Sequence, residues 1–162
     1  MSCVAYIGTL ISIQNDMNTM VAPFTYDQYG NVLWGGFEER ELVNPEDYTI
    51  VNVSKQEYED SNEHWIPLND GVYDGGTSLD NFSAAVELVI ELLEKEQPLL
   101  VHCAAGQSRS VSVLATALAV YEQRNIDSVI EEMVAQNNGI RPEESVLSKG
   151  KEYIKYNHPQ LR

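Results

Sequence analysis

The run His102-Cys103-Ala104-Ala105-Gly106-Gln107-Ser108-Arg109-Ser110 brings together a sulfur, a glycine, a guanidinium and two hydroxyls. It stands between the apolar run Leu99-Leu100-Val101 and a long apolar segment that begins at Val111. A loop that enters a helix turns successive backbone N–H groups inward, and the helix N-terminus adds about half a positive charge. An oxyanion suits that position. A free cysteine, with a pKa of about 8.5, is only about 3% thiolate at pH 7, whereas a helix N-terminus and a nearby cation lower that value by several units. Cys103 is therefore a candidate nucleophile. Arg109, six residues later, can hold two oxygens of a tetrahedral anion with its planar fork, which lysine cannot imitate. Backbone N–H groups of Ala104, Ala105, Gly106, Gln107 and Ser108 complete the candidate anion site, with Gly106 allowing a tight turn. Ser110 can donate its hydroxyl to the sulfur and improve it as a leaving group. A lone cysteine is usually just a small buried apolar residue; arginine, glycine and serine in register argue otherwise here.

This loop needs a strand before it and a helix after it. Leu99-Leu100-Val101 fits a buried central strand, and Val111 to Tyr121 is apolar nearly all round, as expected of a central helix. Upstream, Val32 to Phe37 suits a short strand and turn, and Tyr48 to Val53 is a β-branched run of strand length. His64 to Leu68 reads as a short edge strand, because Pro67 forbids a central place. From Asp80 to about Glu96, Phe82, Ala85, Val86, Val89, Ile90, Leu92 and Leu93 recur at helical spacing, with Ser78 or Asp80 as cap. Downstream, Asp127 is the expected cap of a helix through Val129, Ile130, Met133 and Val134. Pro142 is the expected start of another through Val146, Leu147, Tyr153 and Ile154. Alternating strands and helices predict an α/β fold with a mainly parallel central sheet flanked by helical layers.

The 162 residues contain no repeat, low-complexity tract or linker, which predicts a single domain across 1–162, with 1–30 unassigned. No apolar run reaches the roughly 20 residues needed to cross a bilayer, and Met1 to Gly8 lacks the basic flank of a signal peptide. A cytoplasmic location is expected, and two cysteines, Cys3 and Cys103, are too few for a disulfide framework. A net charge of -15 repels polyanions, so nucleic acid and acidic membrane surfaces are poor partners. The same excess of acid suits solubility at high salt. An anion site on such a chain must be locally positive.

The pattern of His102-Cys103, five residues, Arg109 and Ser110 resembles the signature of cysteine-based protein phosphatases. Ala104-Ala105-Gly106 with Ser108 is similar to the dual-specificity branch. Leu33-Trp34-Gly35-Gly36, Ile50-Val51-Asn52-Val53 and Ile140-Arg141-Pro142 extend the resemblance over roughly residues 31 to 156. Glu143 departs from a frequent asparagine, and Leu114 to Val120 lacks the usual tyrosine-leucine-methionine pattern. The resemblance implies a phosphocysteine intermediate, formed by in-line attack and hydrolysed by water without a metal or other cofactor. The substrate it implies is a phosphoprotein, acted on by a chain that is expected to be monomeric.

Such chemistry needs a proton for the departing ester oxygen, and a positioned acid contributes about 10²–10⁴-fold. The family carries an aspartate on a loop upstream of the nucleophile, and Ile66-Pro67-Leu68-Asn69-Asp70 looks like that loop. Asp70 is the choice for general acid, with Asp74 as the alternative. An aspartate with an ordinary pKa is only about 0.1% protonated at pH 7, so an acidic optimum or an upward shift follows. His102 is read as a structural group at a strand end, and His64 and His158 are too scattered for a metal site. Cys3 could act as a resolving thiol, although a small N-terminal residue is the plainer account. A phosphate-binding module without turnover, or the same chemistry on a phospholipid, phosphoglucan or RNA 5′ phosphate, are the competing readings.

Overall fold

A computed structural model describes residues 24–26, 29–58, 62–71, 76–137 and 140–161. The strands are Phe24–Thr25 (β1), Val32–Gly35 (β2), Thr49–Asn52 (β3), His64–Trp65 (β4) and Leu99–His102 (β5). The helices are Phe37–Arg40 (α1), Leu79–Glu94 (α2), Arg109–Glu122 (α3), Ile126–Gln136 (α4) and Glu144–Asn157 (α5). Strand order is β1-β2-β5-β3-β4, so β5 lies in the middle, as its unbroken apolar run requires. β5 is parallel to β2 and β3, β3 is parallel to β4, and only β1 runs antiparallel, against β2. The expected α/β class with a mainly parallel sheet is what the chain forms.

Alternation along the strands sorts the sheet into two unequal faces. Val32, Trp34, Val51, Leu99 and Val101 point into the main core with residues of α2, α3, α4 and α5. Leu33, Ile50 and Leu100 point the other way, where among the described residues they cluster with Val43 and the half-buried Tyr48. Helices flank the sheet as expected, and among them α1 contacts β2 and β5.

α3 is the axis of the main core. Every residue from Arg109 to Val120 is buried, and each buried Val or Leu there contributes about 1.5–3 kcal/mol. Ala115, Ala117 and Ala119 let neighbouring helices approach, and Gly150 of α5 takes the closest place. A Cβ on Gly150 would lie 2.3 Å from Thr116 Oγ1, which explains a residue costing about 1 kcal/mol in a helix interior.

Several boundaries differ from expectation for local reasons. Ser78 caps α2 by accepting the Asn81 N–H, and Asp80 falls in the first turn. Asn125, not Asp127, caps α4: its side chain accepts the Asp127 N–H at 2.8 Å, and Asp127 supplies first-turn negative charge. Pro142 lies outside α5, whose N-cap is Glu143. β4 is the edge strand but stops at Trp65, so Ile66, Pro67 and Leu68 continue as connecting chain. Among the described residues, no helix is long and apolar enough to cross a membrane.

Candidate active site

The site gathers at the C-terminal ends of the parallel strands, where such sheets commonly bind ligands. Cys103 follows β5 directly, and its amide donates to the Gly35 carbonyl at 3.1 Å. The loop then folds back on the turn between β2 and α1. Phe37 N–H donates to Ala104 O at 2.9 Å, and Gly36 bridges Ala105. Both glycines of this contact are sterically required. Gly106 has φ +70°, and a Cβ there would lie 2.6 Å from the Gly35 carbonyl carbon; a Cβ on Gly36 would lie 2.4 Å from Ala104 O.

Cys103 is a free thiol at the base of the loop, 2% exposed. Its Sγ has polar company despite that burial: Gly106 N–H donates to it at 3.3 Å and Ser110 Oγ lies 3.3 Å away. Ser110 Oγ also reaches Gly35 O at 3.4 Å. Solvent meets the loop at Ala105 and Gln107, which are exposed, while Ala104 is half-buried.

Two supports arrive from the far end of the chain. Ser108, at the N-cap of α3, makes no side-chain cap bond to its own helix. Its Oγ instead accepts Glu143 N–H at 2.8 Å, and Gln107 O accepts Arg141 N–H at 3.0 Å. The glutamate that departs from the family pattern therefore serves through its backbone.

Arg109 is 7% exposed, and one Nη donates to the Leu68 carbonyl at 3.2 Å. Its Nε is buried without a hydrogen-bond partner. Among the described residues its ion-pair partner is Asp70, whose Oδ2 lies 3.8 Å from that Nε on a side chain 38% exposed. Asp70 is held there by its neighbours: Leu68 is buried and donates to Val53 O, Thr77 Oγ1 donates to Asn69 O at 2.6 Å, and Asn69 Nδ2 donates to Gly76 O at 2.9 Å. The fold thus brings together Cys103, Ser110, Arg109 and Asp70. Asp74 and Cys3 lie outside the described residues.

His102 is fully buried, with Nδ1 3.3 Å from Cys103 O and its ring edge-on to Phe37 and Tyr58. Burial pushes its pKa below the ordinary histidine value, against the opposing pull of Glu63. Glu63 and Arg40 escaped sequence reading. So did the bracing role of Gly35 and Gly36, for which a glycine pair directly after a strand was the available signal.

A buried cysteine beside a hydroxyl, an arginine six residues further on and an aspartate beside that arginine are thus brought to one end of the sheet. Residues 43–155 match the family described as dual specificity phosphatase, catalytic domain. The chain belongs to that family, and it is a phosphatase. No curated protein matches it. Among solved structures, human DUSP28(Y102H) is similar at 17% identity, covering 86% of this chain and 99% of its own, with a TM-score of 0.70. A leucine rich repeat and phosphatase domain containing protein from Entamoeba histolytica is similar at 13% identity, 87% and 96% coverage and TM-score 0.66. PTPMT1 in complex with PI(5)P is similar at 19% identity, 77% and 90% coverage and TM-score 0.61. These likenesses concern the fold.

Proposed function

We propose that the chain hydrolyses phosphomonoesters on proteins, phosphotyrosine together with phosphoserine and phosphothreonine, through a phosphocysteine intermediate. The observation that carries this reading is the unpartnered, buried Nε of Arg109 beside Asp70. An unsatisfied buried donor costs about 1–3 kcal/mol, and a phosphate oxygen would relieve that cost. In the first step the Cys103 sulfur attacks phosphorus in line, the P–O ester bond breaks, and Asp70 gives its proton to the departing oxygen. The loop N–H groups and Arg109 hold the three remaining oxygens. In the second step water attacks phosphorus, Asp70 takes a proton from it, and the S–P bond breaks as Ser110 donates to the sulfur.

Proteins are favoured over polyanionic lipids by charge. The loop offers Ala104, Ala105 and Gln107 where lysines would hold further phosphates, and the chain carries a net charge of -15. The test pairs turnover of an aryl phosphate, between about pH 5 and 8, with a Cys103→Ser trap offered phosphopeptides and phosphoinositide vesicles. Turnover in the wild type, none in Cys103→Ser, and retention of phosphopeptides by the trap are expected. Absence of turnover throughout that range overturns hydrolysis, and retention of vesicles alone overturns the protein substrate.

A further inference from the structure

At the end of α3 remote from the Cys103 loop, α2, α3 and α5 leave a groove of about 480 Å³ between them. Its floor is apolar, made by the buried Val120, the half-buried Ile90 and the ring of Tyr153. Its rim is acidic, made by the exposed Glu87, Glu91 and Glu94 of α2. Glu91 is paired with Lys95, whereas Glu87 and Glu94 have neither an ion pair nor a side-chain hydrogen bond among the described residues.

A row of exposed glutamates is commonly no more than a solvated helix face, and Tyr153 sets this one apart. Tyr153 is 4% exposed, with its ring centroid 5.7 Å from that of His158. Its hydroxyl nevertheless makes no hydrogen bond among the described residues, and the side chain lines the groove. Burial, and then the Glu87 carboxylate, hold its pKa above the ordinary tyrosine value, so that carboxylate faces the hydroxyl. A buried phenol usually has a hydrogen-bond partner; this one opens on a space bounded by negative charge. A cationic donor with an aliphatic stem satisfies all of these groups at once. Its N–H groups give to the Tyr153 oxygen and to the free carboxylates, while its stem covers Ile90 and Val120.

Shape favours a chain over a point charge. Residues 87, 91 and 94 share one face of α2 and span about 10 Å along it, further than one ion reaches, and the described residues form no metal-binding cluster. Alternate side chains of an extended peptide recur about 7 Å apart, so two long cationic ones reach both Glu87 and Glu94. The structure assigns to this groove the docking of an extended protein segment that carries lysine or arginine at alternate positions. The net charge of -15 draws such a segment towards the chain, and the groove gives it a seat. Docking there does not rest on the proposed hydrolysis, because the groove lies about 20 Å from Arg109 along α3.

The probe is a fluorescein-labelled hexapeptide of alternating alanine and arginine, titrated with the full chain and followed by anisotropy. Glu87→Gln/Glu94→Gln should weaken its binding about three- to tenfold, the range two exposed ion pairs support. Tyr153→Phe should weaken it about two- to tenfold, as loss of one hydrogen bond does. Glu46→Gln/Glu131→Gln removes the same charge from exposed positions elsewhere and should change little. Because the hydroxyl has no partner to lose, Tyr153→Phe should melt no lower than the unaltered chain. Absence of binding overturns the inference, as does an equal loss in the two paired variants, which makes the attraction a diffuse field. A lower melting temperature for Tyr153→Phe also overturns it, since the hydroxyl would then be used within the fold. Spermine that displaces the peptide as well as unlabelled peptide does makes a free polyamine the occupant and overturns the protein segment.

Discussion

Arg109 donates to the main-chain carbonyl of Leu68 at 3.2 Å, across 41 residues of sequence. Through that bond the loop carrying the nucleophile and the loop carrying Asp70 share one side chain. The guanidinium is held by a backbone acceptor at one Nη, while its buried Nε, 3.8 Å from the Asp70 carboxylate, makes no hydrogen bond and can take an incoming oxygen. A planar fork suits this threefold task, and an ammonium does not.

Arg109→Lys should therefore lower kcat/KM on an aryl phosphate by about 10²–10³-fold, the loss typical of one oxyanion donor. Inorganic phosphate should also bind more weakly as a competitive inhibitor. Steady-state kinetics with phosphate inhibition checks both.

Asp70→Asn should reduce kcat by about 10²–10⁴-fold on alkyl phosphates, whose leaving group must be protonated. The loss should be much smaller on an activated aryl ester, whose oxygen departs as the anion. The contrast between the two substrates is the measurement, and if Asp74→Asn shows it instead, the acid is Asp74.

Gly106→Ala should be destabilising. At φ +70° a side chain costs about 1–2 kcal/mol, and here the added Cβ also meets backbone at 2.6 Å. A fall in melting temperature of roughly 4 °C or more is expected, at about 2–4 °C per kcal/mol for a chain of this size. Calorimetry, with phosphate protection measured alongside, would show it.

Away from the site, Arg124 joins Glu122 at the end of α3, Glu132 in the middle of α4 and the Tyr26 hydroxyl just after β1 in one cluster. The hydrogen bond from Arg124, then that from Tyr26, holds the Glu132 carboxyl below its usual 4.5. A depressed folded-state pKa gives stability that is present above the unfolded value and lost as pH falls through the folded one. Glu132→Gln should thus cost stability at neutral pH, by under about 1 kcal/mol because solvent screens a partly exposed pair. The gap should close below the usual carboxylate range, as denaturant melts at neutral and acidic pH would reveal.

What could be read from the chain alone was whatever is contiguous along it. The unit from Leu99 to Tyr121 is one strand, one loop and one helix in sequence, so its apolar runs and the residues between them state both fold and chemistry. Asp70 was reachable through the resemblance to the family loop. Glu63 was not, because its significance lies in meeting Arg40, Asn52 and His102 from separate elements, and no periodicity records such a meeting. The choice of Asn125 over Asp127 as cap was lost for a smaller reason: both are good caps, and only the backbone at residue 125 is extended.

The glycine pair at the end of β2 reaches the nucleophile's loop and the first turn of α3 across as many as 75 residues of chain. A nascent polypeptide therefore owns the sulfur, arginine and helix without yet owning a cradle, since its shape is lent by an earlier segment that must first find β5. Denaturant that parts β2 from β5 should silence the enzyme, and because Val32 and Trp34 of β2 share the main core with α2, α3, α4 and α5, the helical circular dichroism should fall with it.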